Sequence, residues 1–526
     1  MKDERLIPVI VGVTGHRDLV DEDIPVLRKA VRTQLRKLKK VCPNSPLVML
    51  NSLAEGGDQL CAEVALEEGF ELRAVLPMPL GEYEKDFEGD ALERLQALVA
   101  VAKDVFVSPQ IEEYRKGRDY LFRQAGIYVA QHCHFLLALW DGESGKPEGC
   151  GSAEAVDFKL KNSFSPQLNM GMRAANGCVI QISTQRRSAI GRTESGNTVF
   201  HGDREALNEL LKATDAYNLD VSLLQGGSDA EAAAEDPVLA RQSAVYGAAD
   251  LLSVQNAKKH KRAIFLLSVA ATVLTVSFLL YDEVDLHGFI LLCGLMIAGL
   301  FAVSFFATRR RYLDKYLQYR VLAEGLRVQT GLRKAGSGAG AWELLSWSLQ
   351  MDEPWIQSAL AALAVGTAPV SKSSVLDSWI RDQKGYHEKA AVRTRKQSES
   401  NERIVYISLA LSVFVYLAAL FLELLYGGLL PGTQDVAPEV VRTVMKIVLG
   451  SLSAATLFAG SYYGKLSLEE SGRDHERMAA LYSAAEEHIL KNGETEDFLL
   501  LLAKEELEEN SRWYAYQSMN GPDINI

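Results

Sequence analysis

The chain is poor in the residue patterns that usually announce a site. Its six cysteines (Cys42, Cys61, Cys133, Cys150, Cys178 and Cys293) include no C-x-x-C pair. That argues against a zinc site or a secreted disulfide framework and fits a reducing compartment. Cys133 stands between His132 and His134, residue types that can ligate metal, but the triplet reads as a polar strand entry with a buried thiol, and no metal is expected. Positive charge is in deficit: 56 Lys and Arg against 68 Asp and Glu leave a formal charge of -12. No basic run is long enough for general nucleic-acid binding, so no nucleic-acid partner is expected. Neither G-x-G-x-x-G nor G-x-x-x-x-G-K-[ST] occurs, which removes the ordinary dinucleotide fingerprint and the P-loop. The opening residues "MKDERLIPVIVGV" lack the layout of a signal peptide, and the first part of the chain is expected in the cytosol.

What is there changes character along the 526 residues. Apolar, β-branched runs at 7–13, 47–50, 71–77, 133–140 and 177–183 suit strands covered on both faces. Helical patterns lie between them, as in "DEDIPVLRKAVRTQLRKLKKV", with Asp23 as an N-cap and Pro25 near the first turn. Strand-helix alternation predicts a doubly wound, Rossmann-like α/β domain over 1–185. Residues 186–240 turn polar and small, with one helix in "DREALNELLKATDAYN", and read as an appendage and linker.

Four oily runs follow, at 263–281, 288–307, 404–422 and 444–463. Each approaches the roughly 20 residues that span hydrocarbon. Lys446 lies near the start of the fourth, where a lysine can snorkel. Basic residues flank the outer ends of each pair: "KKHKR" (258–262), "RRR" (309–311), Arg393, Arg395, Lys396, Arg403 and Lys465. Both hairpins are therefore expected to enter from and return to the cytoplasm, with both termini there. The order helix, span, short turn, span, amphipathic helix recurs, so an all-α transmembrane domain of two tandem two-span repeats is expected. The first repeat covers 241–330, a cytosolic helical connector 331–390, and the second repeat 391–526. Gly294, Ala298 and Ala302, like Gly450 and Ala454, have the spacing that lets membrane helices pack closely. Ser268, Thr272 and Thr275 either line a polar path or bond their own helix. No span carries a central acid or base, which weighs against a proton-coupled pump.

In a doubly wound sheet, ligands settle beyond the carboxyl ends of the strands. The first strand ends in "GVTGHRDL": Gly12 and Gly15 permit close approach, Thr14 offers a hydroxyl, His16 accompanies them, and Arg17 suits a phosphate. The second ends in "NSLAEGGDQ", where Ser52, Ala54, Gly56 and Gly57 precede a helix whose N-terminal N–H groups welcome an anion. Asp58 is expected to cap that helix or to accept from a ribose hydroxyl. "FLLALWDG" ends in Trp140 and Asp141, a flat apolar surface beside a carboxylate. In "EGCGSAEAV", Gly149, Gly151 and Ser152 open another helix, with Glu154 as its cap or as a weak catalytic candidate. Together these turns predict a nucleotide pocket.

At these residues the chain resembles the SLOG superfamily of DNA-processing protein A and LOG proteins. "LNSLAEGGDQLCAEVAL" is similar to the S-G-L-A-x-G-I-D turn, with Gly57 standing where the pattern has an apolar residue. "VGVTGHRDL" resembles the V-G-x-R loop and "GCGSAEAV" the G-G-x-G-T-x-x-E turn. The membrane half, closing in "ENSRWYAY", resembles SLATT effector domains. The resemblance implies a sensor for a nucleotide-derived ligand of cyclic-nucleotide or ADP-ribose type, without another cofactor. It also implies a homo-oligomeric, pore-forming effector that disrupts the bacterial inner membrane in anti-phage defence. Glu154 falls two residues after Ser152, not three as in the LOG hydrolases, which favours a sensor over an enzyme. The alternative is a membrane-tethered LOG-like phosphoribohydrolase with Glu154 as acid/base. A third reading is a scaffold that binds protein only.

Overall fold

In a computed structural model, residues 3–111, 116–143, 151–161, 177–191, 193–224, 236–284, 286–369, 372–426 and 439–519 are described. In chain order the elements are β1 (Val9–Gly15), α1 (Ile24–Val41), β2 (Leu47–Asn51), α2 (Gly57–Glu67), β3 (Glu71–Leu76), α3 (Leu80–Tyr83), α4 (Gly89–Val101), β4 (Asp104–Val107), α5 (Arg118–His132), β5 (Phe135–Trp140), α6 (Ser152–Lys161), β6 (Val179–Ser183) and β7 (Thr198–His201). Helices follow: α7 (Arg204–Ser222), α8 (Pro237–Glu283), α9 (Phe289–Arg309), α10 (Tyr312–Lys334), α11 (Ala341–Leu344), α12 (Trp347–Asp352), α13 (Pro354–Leu363), α14 (Asp382–Tyr426), α15 (Glu439–Lys465), α16 (Leu468–Asn492) and α17 (Glu496–Ser518). They form two compact units. One comprises Met1–Leu252, Gln318–Val375 and Glu494–Arg512; the other comprises Ser253–Leu317, Leu376–Gly493 and Trp513–Ile526.

The first unit is Rossmann-like. Among the described residues its seven strands run in the order β4-β3-β2-β1-β5-β6-β7, parallel except for β7, which is antiparallel to β6. The order reverses between β1 and β5, where Val13 faces Leu137, so the switch point lies there. The apolar runs fill the sheet interior: Ile10, Val48, Leu50, Val75, Leu136 and Val179 are buried in one core. α1 buries Leu27, Val31, Leu35 and Leu38 along one stripe, while its Arg28 bonds Glu63 of α2 at 2.7 Å.

Two strands escaped the sequence reading. β4 and β7 have four residues each and sit at the edges; an edge strand with a solvated face needs no continuous apolar run. β7 also places part of the stretch read as an appendage inside the sheet. α7 matches the expected helix, and Asp203 accepts from the Glu205 and Ala206 amides at its start. Its Asp215 receives Asn44 N–H at 2.8 Å and its Asn218 receives Ile7 N–H at 2.8 Å, which ties α7 to the loop before β2 and to the entry of β1. Asp23 does stand at the N-cap of α1, but its side chain makes no cap bond. It accepts instead from Ser195 Oγ at 2.6 Å.

The His132-Cys133-His134 triplet is packing. The Cys133 thiol is buried where a Gly12 side chain would start, 2.7 Å from an ideal Cβ. His132 stacks on Tyr128, centroids 4.0 Å apart, with Nδ1 2.9 Å from the Tyr128 carbonyl. His134 Nδ1 accepts from Ile10 N–H at 3.1 Å. Lys159, fully buried, donates to the carbonyls of Ala130 and Cys133 at 2.9 and 2.7 Å, closing the end of α5. No group of three metal-ligating residues exists among the described residues.

The second unit contains the four apolar runs, inside α8, α9, α14 and α15, and these helices are long and apolar enough to cross a membrane. α8 and α15 run antiparallel and touch at three levels. Glu283 pairs with Lys446 at 3.0 Å, Leu279 covers Gly450, and the Phe265 and Tyr462 rings lie 5.8 Å apart. Leu279 Cδ1 sits 2.7 Å from where a Gly450 Cβ would be, so the small residue lets the leucine side chain lie against the α15 backbone. The stripe in α9 differs: nothing lies within 4 Å of a Gly294 Cβ. Thr272 and Thr275 donate to the Ser268 and Ala271 carbonyls of their own helix at 2.9 and 3.1 Å, so these two hydroxyls are satisfied within the helix. α14 and α16 pack together through Glu486, which holds Lys384 at 2.9 Å and Arg381, the residue before α14, at 2.7 Å, and through His387 against His475.

Burial holds His132 and His134 below the usual 6.5, at about 4 and about 3. The folded chain therefore binds fewer protons than the unfolded one once the pH drops below about 6.5, and stability falls from there toward about pH 4. His132→Phe keeps the ring on Tyr128 and removes one titrating group. The acid limb of the unfolding midpoint, followed by tryptophan fluorescence, is expected to be shallower in this variant.

Candidate functional site

The turns at the carboxyl ends of β1, β2 and β5 interlock at the switch point. His16 N–H donates to Leu139 O at 3.0 Å, and His16 O accepts from Gly57 N–H at 2.9 Å. Gly15 and Gly57 meet back to back. A Cβ on Gly15 would lie 2.8 Å from Gly57 Cα, and one on Gly57 would lie 2.9 Å from Gly15 Cα. Gly56 has φ +82°, and a side chain there would strike the His16 and Arg17 carbonyl oxygens. The glycines of "LNSLAEGGDQL" thus serve close packing of a strand end against a helix start. Two of the first N–H groups of the turn are already used: Gly57 on His16 O, and Gln59 on Ala54 O at 3.2 Å.

Asp58 departs from both expected roles. It makes no cap bond and is buried, held by the backbone N–H groups of Ala54 and Gly15. Burial pushes its carboxyl up to about 7, against the opposing pull of those amides and of Arg17. Asn51, also buried, completes the turn: its amide donates to Asp58 O at 2.8 Å and its Oδ1 accepts from Leu53 N–H at 2.6 Å. Leu53 carries the positive φ, +58°, that this turn needs.

Around this knot the side chains with access to solvent are few. Thr14, Gly15, His16, Ser52, Ala54, Trp140 and Asp141 are half-buried, and Arg17 is exposed. His16 Nε2 accepts from Asp141 N–H at 3.1 Å and lies 3.2 Å from Asp141 Oδ1. Burial lowers the His16 pKa more than the Asp141 charge restores it, so the ring is neutral at pH 7, which fits an Nε2 that accepts. Trp140 packs against the core and donates its indole N–H to Glu143 O at 3.0 Å; it closes its own turn and offers less than the free platform expected. Gly12 lies within β1 under Cys133 and away from the crevice. On α6, Gly151 is exposed, Ser152 buried, and Glu154 Oε2 accepts from Gly151 N–H at 2.9 Å, a capping arrangement. Gly149 lies outside the described residues.

The sequence reading missed the aromatic side of the crevice. The Arg17 guanidinium sits over Phe122, 4.8 Å from the ring centroid. Phe122 neighbours Tyr83, 6.1 Å between centroids, and the Tyr83 hydroxyl donates to Ser52 O at 3.1 Å. Arg118 at the start of α5 binds Asp86 at 2.6 Å. The available signal was "RDYLFRQ", where basic and aromatic residues alternate at the opening of a helix. Neutral imidazole, carboxylate, hydroxyl and a stacked guanidinium together offer donors, an acceptor and one positive charge to a polar ligand.

Compared with protein-family models and with curated proteins, the chain matches none.

Because its folded-state pKa lies above the ordinary 3.8, Asp58 costs stability increasingly as pH rises from about 4 to about 7 and by a constant amount above that. Asp58→Asn keeps an acceptor without the charge, so its unfolding midpoint is expected to lie closest to the wild type below about pH 4 and to exceed it near pH 8. Asp58→Ala strands two backbone amides at about 1–3 kcal/mol each and is expected to be destabilised at both. Gly57→Ala forces β1 and α2 apart and is expected to cost about 1–3 kcal/mol.

Proposed function

We propose that this chain is a nucleotide-responsive membrane effector of the SLOG-SLATT kind. A phosphate-bearing nucleotide, of cyclic-nucleotide or ADP-ribose type, sits over the carboxyl ends of β1 and β5. Arg17 takes its phosphate, while His16 and Asp141 take hydroxyl or base groups. The observation that carries this reading is the Rossmann-like switch point with accessible His16, Asp141 and Arg17, on the same chain as four helices able to cross a membrane.

In this reading the helices insert as two tandem hairpins in a bacterial inner membrane, with both termini cytoplasmic, and several copies assemble there. Ligand binding favours one arrangement of the helices and breaches the membrane as a defence against phage. Such coupling requires the ligand to bind the two arrangements with different affinity. α8 holds residues of both units, so the chain itself supplies a covalent link. The phosphoribohydrolase alternative is less well supported, because Glu154 is engaged in closing the start of α6.

Full-length protein reconstituted into dye-loaded liposomes is expected to leak when the correct member of a nucleotide panel is added. Arg17→Ala is expected to raise the half-effective concentration about tenfold, the worth of one charge-assisted contact. Silence across cyclic and ADP-ribose-type nucleotides, with folded protein in the bilayer, would overturn the reading. Release of free base, abolished in Glu154→Gln with nucleotide binding retained, would favour the enzyme.

A further inference from the structure

The second unit carries charge at both ends of its apolar bundle, and the two ends are built differently. At one end the charges are paired between helices. Glu283 of α8 holds Lys446 of α15 at 3.0 Å, and Glu423 of α14 holds Arg442 of α15 through two contacts of 2.6 and 2.9 Å.

The other end lies one hydrocarbon thickness away. At 1.5 Å per residue, Lys261 is roughly 33 Å along α8 from Glu283, against about 30 Å of bilayer core. Three further helices deliver cations to the same level. Arg309 lies as far beyond Cys293 as Lys258 lies before Leu274, and Cys293 Sγ and Leu274 O face each other at 4.0 Å. Tyr462 is level with Phe265, so Lys465 emerges beside Lys261 and Arg262. On α14, Arg393 and Lys396 fall roughly 40–45 Å from Glu423, and Glu423 itself lies about a turn farther out than Glu283, to judge from Arg442 and Lys446 on α15.

Charge is not balanced there. Lys258, Lys259, Lys261, Arg309, Arg393 and Lys396 form no ion pair with a described residue. Of the acids near this level, Asp314 and Glu399 are taken by Arg311 and Arg395, and Glu388 and Glu402 of α14 are outnumbered by the bases around them. The crowding shows in the titration of its members. Lys261 is lowered by burial and then by Arg393. His260 is held at about 4 by burial, then by Lys465 and Lys261, with Asp314 opposing. A shallow groove along α14, lined by Glu388, Lys389, Val392, Arg393 and Lys396, opens at this level.

We propose that this end of the bundle seats the headgroups of anionic phospholipids, with Lys258, Lys261, Arg309, Arg393 and Lys396 as their contacts. The inference rests on the reading that the helices cross a bilayer. Basic flanks set the orientation of a membrane protein, but orientation does not require cations from three helices to converge at one depth without an ion pair. Phosphodiester groups at the edge of the hydrocarbon supply the missing negative charge, each neighbouring lysine or arginine adding attraction. The paired end offers no such seat.

Native mass spectrometry of the full-length protein, released from nanodiscs of mixed phosphatidylcholine and phosphatidylglycerol, tests this on protein whose orientation is already fixed. Wild type is expected to retain phosphatidylglycerol about fivefold over phosphatidylcholine, with the preference falling as salt rises. Lys261→Gln with Arg393→Gln and Lys396→Gln is expected to abolish the preference, and Lys446→Gln to leave it intact. Equal retention of both lipids by wild type, a preference indifferent to salt, or displacement of lipid by millimolar inorganic phosphate would overturn the proposal. Failure of the protein to enter nanodiscs at all would instead remove the membrane reading on which it stands.

Discussion

The contact between Gly15 and Gly57 fixes the rest of the α/β unit. Two backbones approach so closely that neither residue tolerates a Cβ, and the end of β1, the start of α2 and the end of β5 are drawn to one point. From that follow the Gly57 to His16 hydrogen bond, the burial of Asp58 beneath the Gly15 and Ala54 amides, and the placement of His16 against Asp141. Arg17, next in the chain, is left facing solvent over Phe122. The crevice therefore owes its shape to glycine packing, and its chemistry to the side chains that the packing pushes outward.

A comparable constraint orders the helical unit. Gly450 admits Leu279, and the α8–α15 contact that results brings Glu283 to Lys446 and Phe265 to Tyr462. Antiparallel registration then determines which charges share a level. Ion pairs between helices hold one end, through Glu283 with Lys446 and Glu423 with Arg442. At the other, like charges accumulate because the helices that leave it all carry lysine or arginine there.

Much of the fold was legible because burial on both faces leaves a continuous apolar run. β1, β2, β3, β5 and β6 follow that rule, and the four membrane-length helices follow its helical counterpart. β4 and β7 were not legible, since an edge strand of four residues carries too little pattern. Nor could the sequence distinguish the two uses of a glycine turn. "AEGGD" reads the same whether its glycines cradle a phosphate or admit a second backbone, and only the partner across the gap, Gly15, decides. Asp58 was misplaced for the same reason: a carboxylate in a turn suggests solvent, whereas here two buried amides hold it. Residues such as Phe122 and Tyr83 lie far along the chain from the glycine turns, and their convergence on Arg17 is a product of topology alone.

Occupancy of the crevice by a phosphate-bearing nucleotide is the central proposal. The most direct measurement is mass spectrometry of small molecules released on denaturing the full-length protein purified from phage-infected and uninfected cells. A nucleotide recovered near one per chain from infected cells, and lost on Arg17→Ala, is the predicted result. Folded protein that releases no nucleotide from either source would contradict it.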